Sequence, residues 1–252
     1  MQSWLVFQLY GPLASWGGVA VGEVRASETH PGRSALIGLL AAALGIRRDE
    51  EQRLAELGQA CRFAVEVRTS GHHLRDYHTA QVPDQGILNK LNVRTRRDEL
   101  NVDKDRLGTI LSVRDYRCDA YYRVVVEVNG SGEWTLEHFH SALHSPRLPL
   151  YLGRKSCPLA LPMSPQIVKA TSIVDALTKA PVEGPDSIAP SARRHERHRI
   201  DTDPPYSLYW EDGMESGIST EQTYTRRDQP RTRSRWQFDQ RQEHHARITG
   251  GE

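Results

Sequence analysis

A chain of 252 residues can bury roughly 70 to 75% of its unfolded surface, enough for one large domain or two small ones without covalent staples. Cys61, Cys118 and Cys157 are odd in number and far apart, with no C-x-x-C spacing, which speaks against a disulfide framework and a structural zinc site. The net charge of +1 excludes a uniformly basic nucleic-acid binder, so any contact with nucleic acid must come from local clusters.

The chain opens on "MQSWLVFQLYGPL", which lacks a basic n-region, and no apolar run approaches the roughly 20 residues of a membrane span. A soluble, unprocessed cytoplasmic protein with no membrane partner is expected. "WLVFQLYG" (4–11) reads as a largely buried strand ended by Gly-Pro, followed by a glycine-rich loop. "SALIGLLAAALGI" (34–46) is apolar nearly all round and predicts a helix buried on most faces, started near Pro31 and ended by Gly45 as a left-handed cap. "DEEQRLAELGQA" (49–60) is amphipathic at helical spacing, and "RFAVEVR" (62–68) alternates as a strand half exposed to water.

From Val82 to about Thr109 polar residues run throughout with no helical period, which predicts a protruding hairpin or flap. "AYYRVVVEV" (120–128) is the strongest strand signal, and "EWTLEHFHSALH" (133–144) spaces Trp134, Phe139 and Leu143 as a helix would. Strand, helix, strand, strand, helix is most of a β-α-β-β-α-β unit. The expected fold class is therefore α+β: a ferredoxin-like (RRM-like) domain over 1–147, with the flap at about 82–109 inserted between its second and third strands. Residues 148–252 are expected to form a loop-rich β half packed on the first, with a short helix in "SIVDALTKA" (172–180) and a strand in "SLYWE" (207–211). "PVEGPDSIAPSARRHERHRIDTDPP" (181–205) has too few apolar residues for a core and reads as a long loop.

Three loops share one chemistry: "GPLASWG" (11–17), "THPGRS" (29–34) and "YLGRKSCP" (151–158). Glycine lets a backbone approach a ligand closely, and an arginine at a helix N-terminus adds a forked, permanent cation to unpaired N–H groups, a combination suited to phosphate. Each also has a structural reading: Trp16 as a core anchor, Arg33 paired with Glu28, Gly153 in a simple turn. "GRKS" lacks the first glycine of a Walker loop, which argues against nucleotide hydrolysis. Two basic runs, "RRHERHR" (193–199) and the six arginines between Arg226 and Arg241 against Asp228 and Asp239, read singly as solvated surface.

Taken in order, "GPLASWG", "THPGRSALIGLLAAALGIRRD", "LRDYHT" (74–79), "YLGRKSCPLALP" (151–162) and "SRWQFDQR" (234–241) resemble the CasD subunits of type I-E CRISPR Cascade complexes, members of the RAMP superfamily. The likeness covers nearly the whole chain, densely over 1–80 and 145–162, and loosely in the flap and after Pro181. It implies an RRM-like fold that grips the 5′ handle of the guide RNA, caps a filament of CasC backbone subunits, adjoins the large CasA subunit, and meets target DNA only through the assembled complex in antiviral defence. The flap would be a thumb crossing the RNA. Carried onto this chain, the resemblance makes Arg33, Arg154 and Lys155 candidates for backbone contact, with Gly153 permitting close approach. Tyr77, His78 and Tyr151 become candidates for stacking on splayed bases, and Arg94, Arg96 and Arg97 for meeting the strand from the thumb. The last three sit among Asp98, Glu99, Asp103 and Asp105, so an exposed, salt-bridged hairpin is the alternative there. No catalytic residue, cofactor or metal is implied.

The rival reading is a metal-independent endoribonuclease, since "HHLRDYH" (72–78) sets three histidines near a tyrosine and an arginine. The resemblance assigns that step to a separate subunit, CasE. "HFH" (138–140) on a helix would aim its histidines to different sides, and "HH" (244–245) is expected in a mobile tail, so neither reads as a metal site. A purely structural subunit without RNA contact is the third class.

Overall fold

The computed structural model describes residues 1–18, 20, 22–89, 92–129, 132–180, 205–232 and 237–249. Strand β1 (Gln2–Tyr10) is buried on both faces from Trp4 onward. Because successive side chains of a strand point to opposite sides, Leu5, Phe7 and Leu9 enter one apolar cluster while Trp4 and Val6 enter another. The sheet built on β1 is therefore covered on both faces. Two short strands follow, β2 (Leu13–Ala14) and β3 (Val24–Arg25), then helices α1 (Arg33–Leu44) and α2 (Glu51–Ala60). Gly45 closes α1 at φ +79°, donating its N–H to Ala42 and Ala41 carbonyls, as a left-handed cap requires.

Next come β4 (Cys61–Thr69), β5 (His72–Pro83), two short helices α3 (Gln85–Leu88) and α4 (Arg96–Leu100), and β6 (Leu107–Cys118). Strand β7 (Tyr121–Val128) and helix α5 (Leu136–His144) complete the first half; β8 (Gln166–Ala170), α6 (Ile173–Lys179), β9 (Tyr206–Glu211), β10 (Gln222–Thr232) and β11 (Gln237–Ile248) form the second. Seven strands make one sheet in the order β10-β11-β9-β4-β7-β1-β8. Each of its pairings is antiparallel. Phe7 stands opposite Val124, and Val124 opposite Val65, so one row of apolar side chains crosses three strands beneath α1, α2 and α5. The opposite face is smaller, with Ile173, Ala176 and Leu177 of α6 packed over Trp4, Val6 and Val125.

Two expectations change. "RFAVEVR" is not half exposed: Ala64 and Glu66 on its second face are buried, because β7 and the C-terminal strand β9 flank β4 and α6 covers that side. The C-terminal strands extend the same sheet, β9 pairing with β4 over Ala64–Trp210 to Val67–Ser207. His244 and His245 lie in β11, opposite Thr223 and Gln222, and not in a tail. The expected loop falls almost wholly outside the described residues, which omit 181–204.

The flap is the outer part of a longer hairpin. β5 and β6 pair without a break from His72–Cys118 to Pro83–Leu107, and the second sheet is completed by β2 and β3 against β6. The hairpin is thereby rooted on the loop that follows β1. At its tip Thr95 accepts the Asp98 N–H and Asp98 accepts the Thr95 N–H, a reciprocal capping pair that starts α4.

Glu66 is buried beside Arg123, whose Nη2 also donates to the carbonyls of Leu177 (2.8 Å) and Ala180 (2.6 Å) at the end of α6. Arg123→Met, which removes the more buried of Glu66's two arginine partners and leaves only Arg68 at 3.8 Å, is expected to cost about 3 kcal/mol in urea unfolding. The double replacement Glu66→Leu with Arg123→Met should recover part of that loss.

Candidate nucleic-acid interface

The loops "GPLASWG" and "YLGRKSCP" are two halves of one structure. At Gly153 the backbone has φ +87°, and a Cβ there would stand 1.9 Å from the Ser15 carbonyl oxygen. At Gly11 a Cβ would meet the Pro158 carbonyl oxygen at 2.5 Å. Both glycines therefore serve the contact of one loop with the other, and the expectation that Gly153 admits a ligand is corrected: its close neighbour is the chain itself. Ser15 N–H donates to the Leu152 carbonyl at 3.0 Å, and within the turn Leu152 N–H donates to Cys157 (2.8 Å) and Cys157 N–H to Arg154 (2.9 Å). Leu152 and Cys157 point inward and are buried; Lys155 and Ser156 are left outside.

Arg154 is placed by this turn. Its guanidinium lies over the ring of Tyr116 at 4.8 Å, and Nη2 donates to the Arg25 carbonyl at 3.1 Å. A planar cation held on an aromatic face and tied to a backbone oxygen has few rotamers left to lose on binding an anion. Beside it runs a groove of about 560 Å³ between the 15–26 loop, α1 and residues 148–154, with Arg25, Arg47, Arg48 and Arg154 around it. No Asp or Glu is present among the described lining residues. The Arg25 side chain donates to the carbonyls of Gly22 and Val24, bonds that hold it in place and leave its charge uncancelled.

Of the residues singled out in the sequence, Tyr151, Gly153 and Arg154 converge on this groove, and Lys155 stands exposed on the same turn outside its lining. Arg25, Arg47 and Arg48 were not singled out. The signal for the last two was local: they follow the capping Gly45 after Ile46, where the chain turns away from the buried helix. Arg25 had no such signal.

Arg33 is corrected. It is 8% exposed, pairs with Glu211, donates to the Gly58 carbonyl and lies 5.7 Å from the centre of the Phe63 ring. Its backbone N–H donates to Asp228 Oδ2 at 2.7 Å. The helix start does attract an anion, and the anion is the protein's own carboxylate, supplied by β10. Glu28, the partner expected for Arg33, faces Arg226 at 3.4 Å.

The same network absorbs part of the C-terminal arginine run. Arg241 bonds Asp228 and Glu243, each at 2.6 Å, while Arg226 approaches Glu243 at 3.6 Å. His30, of the same "THPGRS" loop, reaches Glu243 through Nε2 at 3.1 Å and stacks on Tyr209 with ring centres 3.8 Å apart. Burial by itself would raise the Glu243 carboxyl, but the hydrogen bond and charge of His30, with Arg241 and Arg226, outweigh it and hold the pKa down at about 2.

Tyr77 and His78 are neighbours on β5, so their side chains leave opposite faces of the hairpin and do not form one stacking platform. Tyr77 is 62% exposed, in a cross-strand row with Val113 and Val24; His78 is half-buried and paired with Asp76. His73 faces Asp115 at 3.3 Å. Arg94, Arg96 and Arg97 are all exposed at the hairpin tip, Arg96 bonded to the Gln81 carbonyl and paired with Glu99. These residues lie outside the groove lining.

A family model described as CRISPR-associated protein (Cas_Cas5) matches residues 4–243. The chain therefore belongs to the Cas5 family of CRISPR-associated proteins. It is 33% identical over 171 residues to the CRISPR system Cascade subunit CasD of Escherichia coli (strain K12), covering 65% of this chain and 70% of that one. Two solved structures share the fold at 24% identity. One, described as a CRISPR RNA-guided surveillance complex, superposes with a TM-score of 0.67 over 97% of this chain and 90% of the other. The second, described as a Cas protein, gives 0.56 over 98% and 95%.

Gly153→Ala forces a methyl group onto the Ser15 carbonyl from a positive-φ backbone, and is expected to lower stability by about 2 to 4 kcal/mol in thermal or urea unfolding. Glu243 gives a second outcome. Its folded pKa lies below its unfolded value, so its contribution is whole above about pH 4.5 and is lost as the pH falls toward about 2. Acid unfolding should lose on the order of 3 kcal/mol across that window from this group, and Glu243→Gln should flatten that part of the curve.

Proposed function

We propose that this chain is a non-catalytic RNA-holding subunit of a type I-E Cascade complex, gripping the 5′ handle of the guide RNA. The observation that carries this reading is the groove beside Arg154, with four arginines and no carboxylate among its described lining residues, in a chain whose net charge is only +1. A cavity of that composition favours a polyanion, and single-stranded RNA supplies phosphates at successive positions. The 33% identity to a Cascade subunit supports the same complex as its setting.

In this reading the strands β8-β1-β7-β4, with α1, α2 and α5 on one face, are a ferredoxin-like (RRM-like) unit whose first three strands fall within residues 1–147 and whose fourth, β8, comes from beyond it. The β5–β6 hairpin is the thumb, and residues 148–252 contribute the turn that completes the groove. One end of the molecule caps a CasC filament and a neighbouring face adjoins CasA, in the cytoplasm, with target DNA met only through the assembly. Arg154 and Lys155 take phosphates; Tyr151 stands where a base would stack; Tyr77, His78, Arg94, Arg96 and Arg97 act from the thumb. Arg33 acts from within, holding the helix start in place. His73 and His78 both pair with carboxylates outside the groove lining, which favours the holding role over the endoribonuclease reading.

The test is to incubate the full chain with guide RNA bearing its handle, and with uncut repeat RNA, in EDTA, and to follow cutting and retention. Retention without cutting is expected, weakened by salt with a slope of about 0.7 per phosphate neutralised. Arg154→Ala, folded by circular dichroism, should weaken retention by roughly 1.5 to 3 kcal/mol. Equal retention would remove Arg154 from the site, and cutting at one position would favour the nuclease.

A further inference from the structure

The motifs "THPGRS" and "HH" (244–245) meet in the fold, at a place outside the groove lining. His30 of the loop before α1, Tyr209 of β9 and His245 of β11 form one aromatic cluster. The His30 ring stacks on Tyr209 at 3.8 Å with planes 15° apart, and Tyr209 lies 4.6 Å from the ring of His245, its cross-strand neighbour. Both imidazoles are buried, but they differ in what they can bond. His30 Nδ1 meets the Thr29 hydroxyl at 3.1 Å and Nε2 meets Glu243 Oε2 at 3.1 Å, so a proton on His30 has a carboxylate to hold it. His245 is 8% exposed, and neither of its ring nitrogens has a hydrogen-bond partner among the described residues. Folded proteins rarely leave a buried polar side chain in that state.

We propose that this cluster is a proton-sensitive latch between the C-terminal strands and the start of α1, closed while His245 is neutral and loosened by a proton on its ring. The cluster sits across that joint. A continuous chain of bonds runs from His30 through Glu243, Arg241 and Asp228 to the Arg33 N–H that opens the helix. A proton on His245 would make a cation with no acceptor in reach. On β11 itself, Glu243 is already engaged by His30, Arg226 and Arg241, and Arg247 adds like charge. Ahead of β10, the Glu221 carboxylate accepts the Arg247 N–H at 3.1 Å. β9 presents the ring of Tyr209, and β10 the ring of Tyr224 at 6.1 Å. Burial, the largest influence, holds the His245 pKa below the usual histidine value; Glu221 opposes it, Arg247 and His30 add to it, and Glu243 opposes it. An unfolded imidazole takes its proton near pH 6.5 and the folded ring only at lower pH. The hold is therefore whole above about pH 6.5 and weakens as the pH falls below it, a window above the one in which Glu243 protonates.

The test follows the full chain between about pH 7.5 and about pH 5.5, where one linked proton changes an equilibrium constant by up to about tenfold per pH unit. In urea unfolding, the wild-type unfolding constant is expected to rise by up to that factor below about pH 6.5. His245→Phe keeps a ring beside Tyr209 and removes the proton site, so it should lose that part of the slope. Amide exchange followed by NMR and corrected for intrinsic rates should show the wild-type Arg33 N–H about tenfold less protected at the lower pH, and equally protected at both in His245→Phe. Identical pH slopes in the two chains would mean that His245 carries no linked proton, and the latch is overturned. If the slopes differ while wild-type Arg33 protection stays constant, the ring is a buried residue that holds no joint, and the inference falls equally. Should His245→Phe fail to fold, the wild-type chain decides by NMR titration of the His245 ring together with Arg33 exchange. A ring midpoint at or above the ordinary histidine value overturns the latch; one below it, with Arg33 exchange quickening over the same range, supports it.

Discussion

The turn at 151–158 can lie against the loop that follows β1 only because no Cβ stands at position 153, where the Ser15 carbonyl oxygen would be 1.9 Å away. That one contact organises a neighbourhood. Ser15 gives its N–H to Leu152 and its hydroxyl to the Asp115 carbonyl of β6, so a single serine joins the turn, the first loop and the hairpin. Arg154 then finds Tyr116 on the same strand and the Arg25 carbonyl in the same loop. The glycine acts one step away from any ligand. It lets two backbones touch, and their contact aims the cation.

The charges of the chain divide by the partner each can reach. Arg33, Arg123 and Arg241 are turned inward and are met by Glu211, Glu66, Asp228 and Glu243, because burying a guanidinium without a carboxylate or carbonyl beside it is costly. Arg25 and Arg154 use backbone carbonyls as partners, which position a guanidinium without neutralising it. A net charge of +1 thus conceals an interior of closed ion pairs and a groove with four arginines along its described lining.

Much of the fold could be read locally. α2 and α5 have helical periods, and α1 and β7 unbroken apolar runs, that survive into three dimensions, and Gly45 ends α1 as its position suggested. β4 was misjudged because Arg62 and Glu66 look like a wetted face, whereas the partner that makes burial of Glu66 tolerable, Arg123, lies 57 residues further on. Arg33 misleads for the same reason at greater distance, since Glu211 is 178 residues away. "LRDYHT" shows no clean alternation because β5 belongs to a small second sheet and is exposed over most of its length. In the candidate site, the Arg154 of "YLGRKSCP" could be picked out from composition, whereas its glycine serves the contact with Ser15 that no local pattern announces; Arg25, Arg47 and Arg48 join Arg154 only through tertiary approach, which leaves no spacing to read.

The hairpin and the groove are also one mechanical unit. β6 carries Tyr116, on which Arg154 rests, near its C-terminal end, and runs back to Leu107 beneath the tip. Twelve residues of strand span roughly 40 Å, and pairing with β5 over that whole length stiffens the element. At the root, Asp115 is held by Arg75 at 3.0 Å, and the Ser15 hydroxyl fixes its carbonyl. A ligand engaged by the tip arginines and by the groove at once would meet two sites whose separation is set by a paired β-ribbon and not by a flexible loop. Such a frame would limit the conformations of any ligand that spans both sites, because the distance between them is fixed by paired strands.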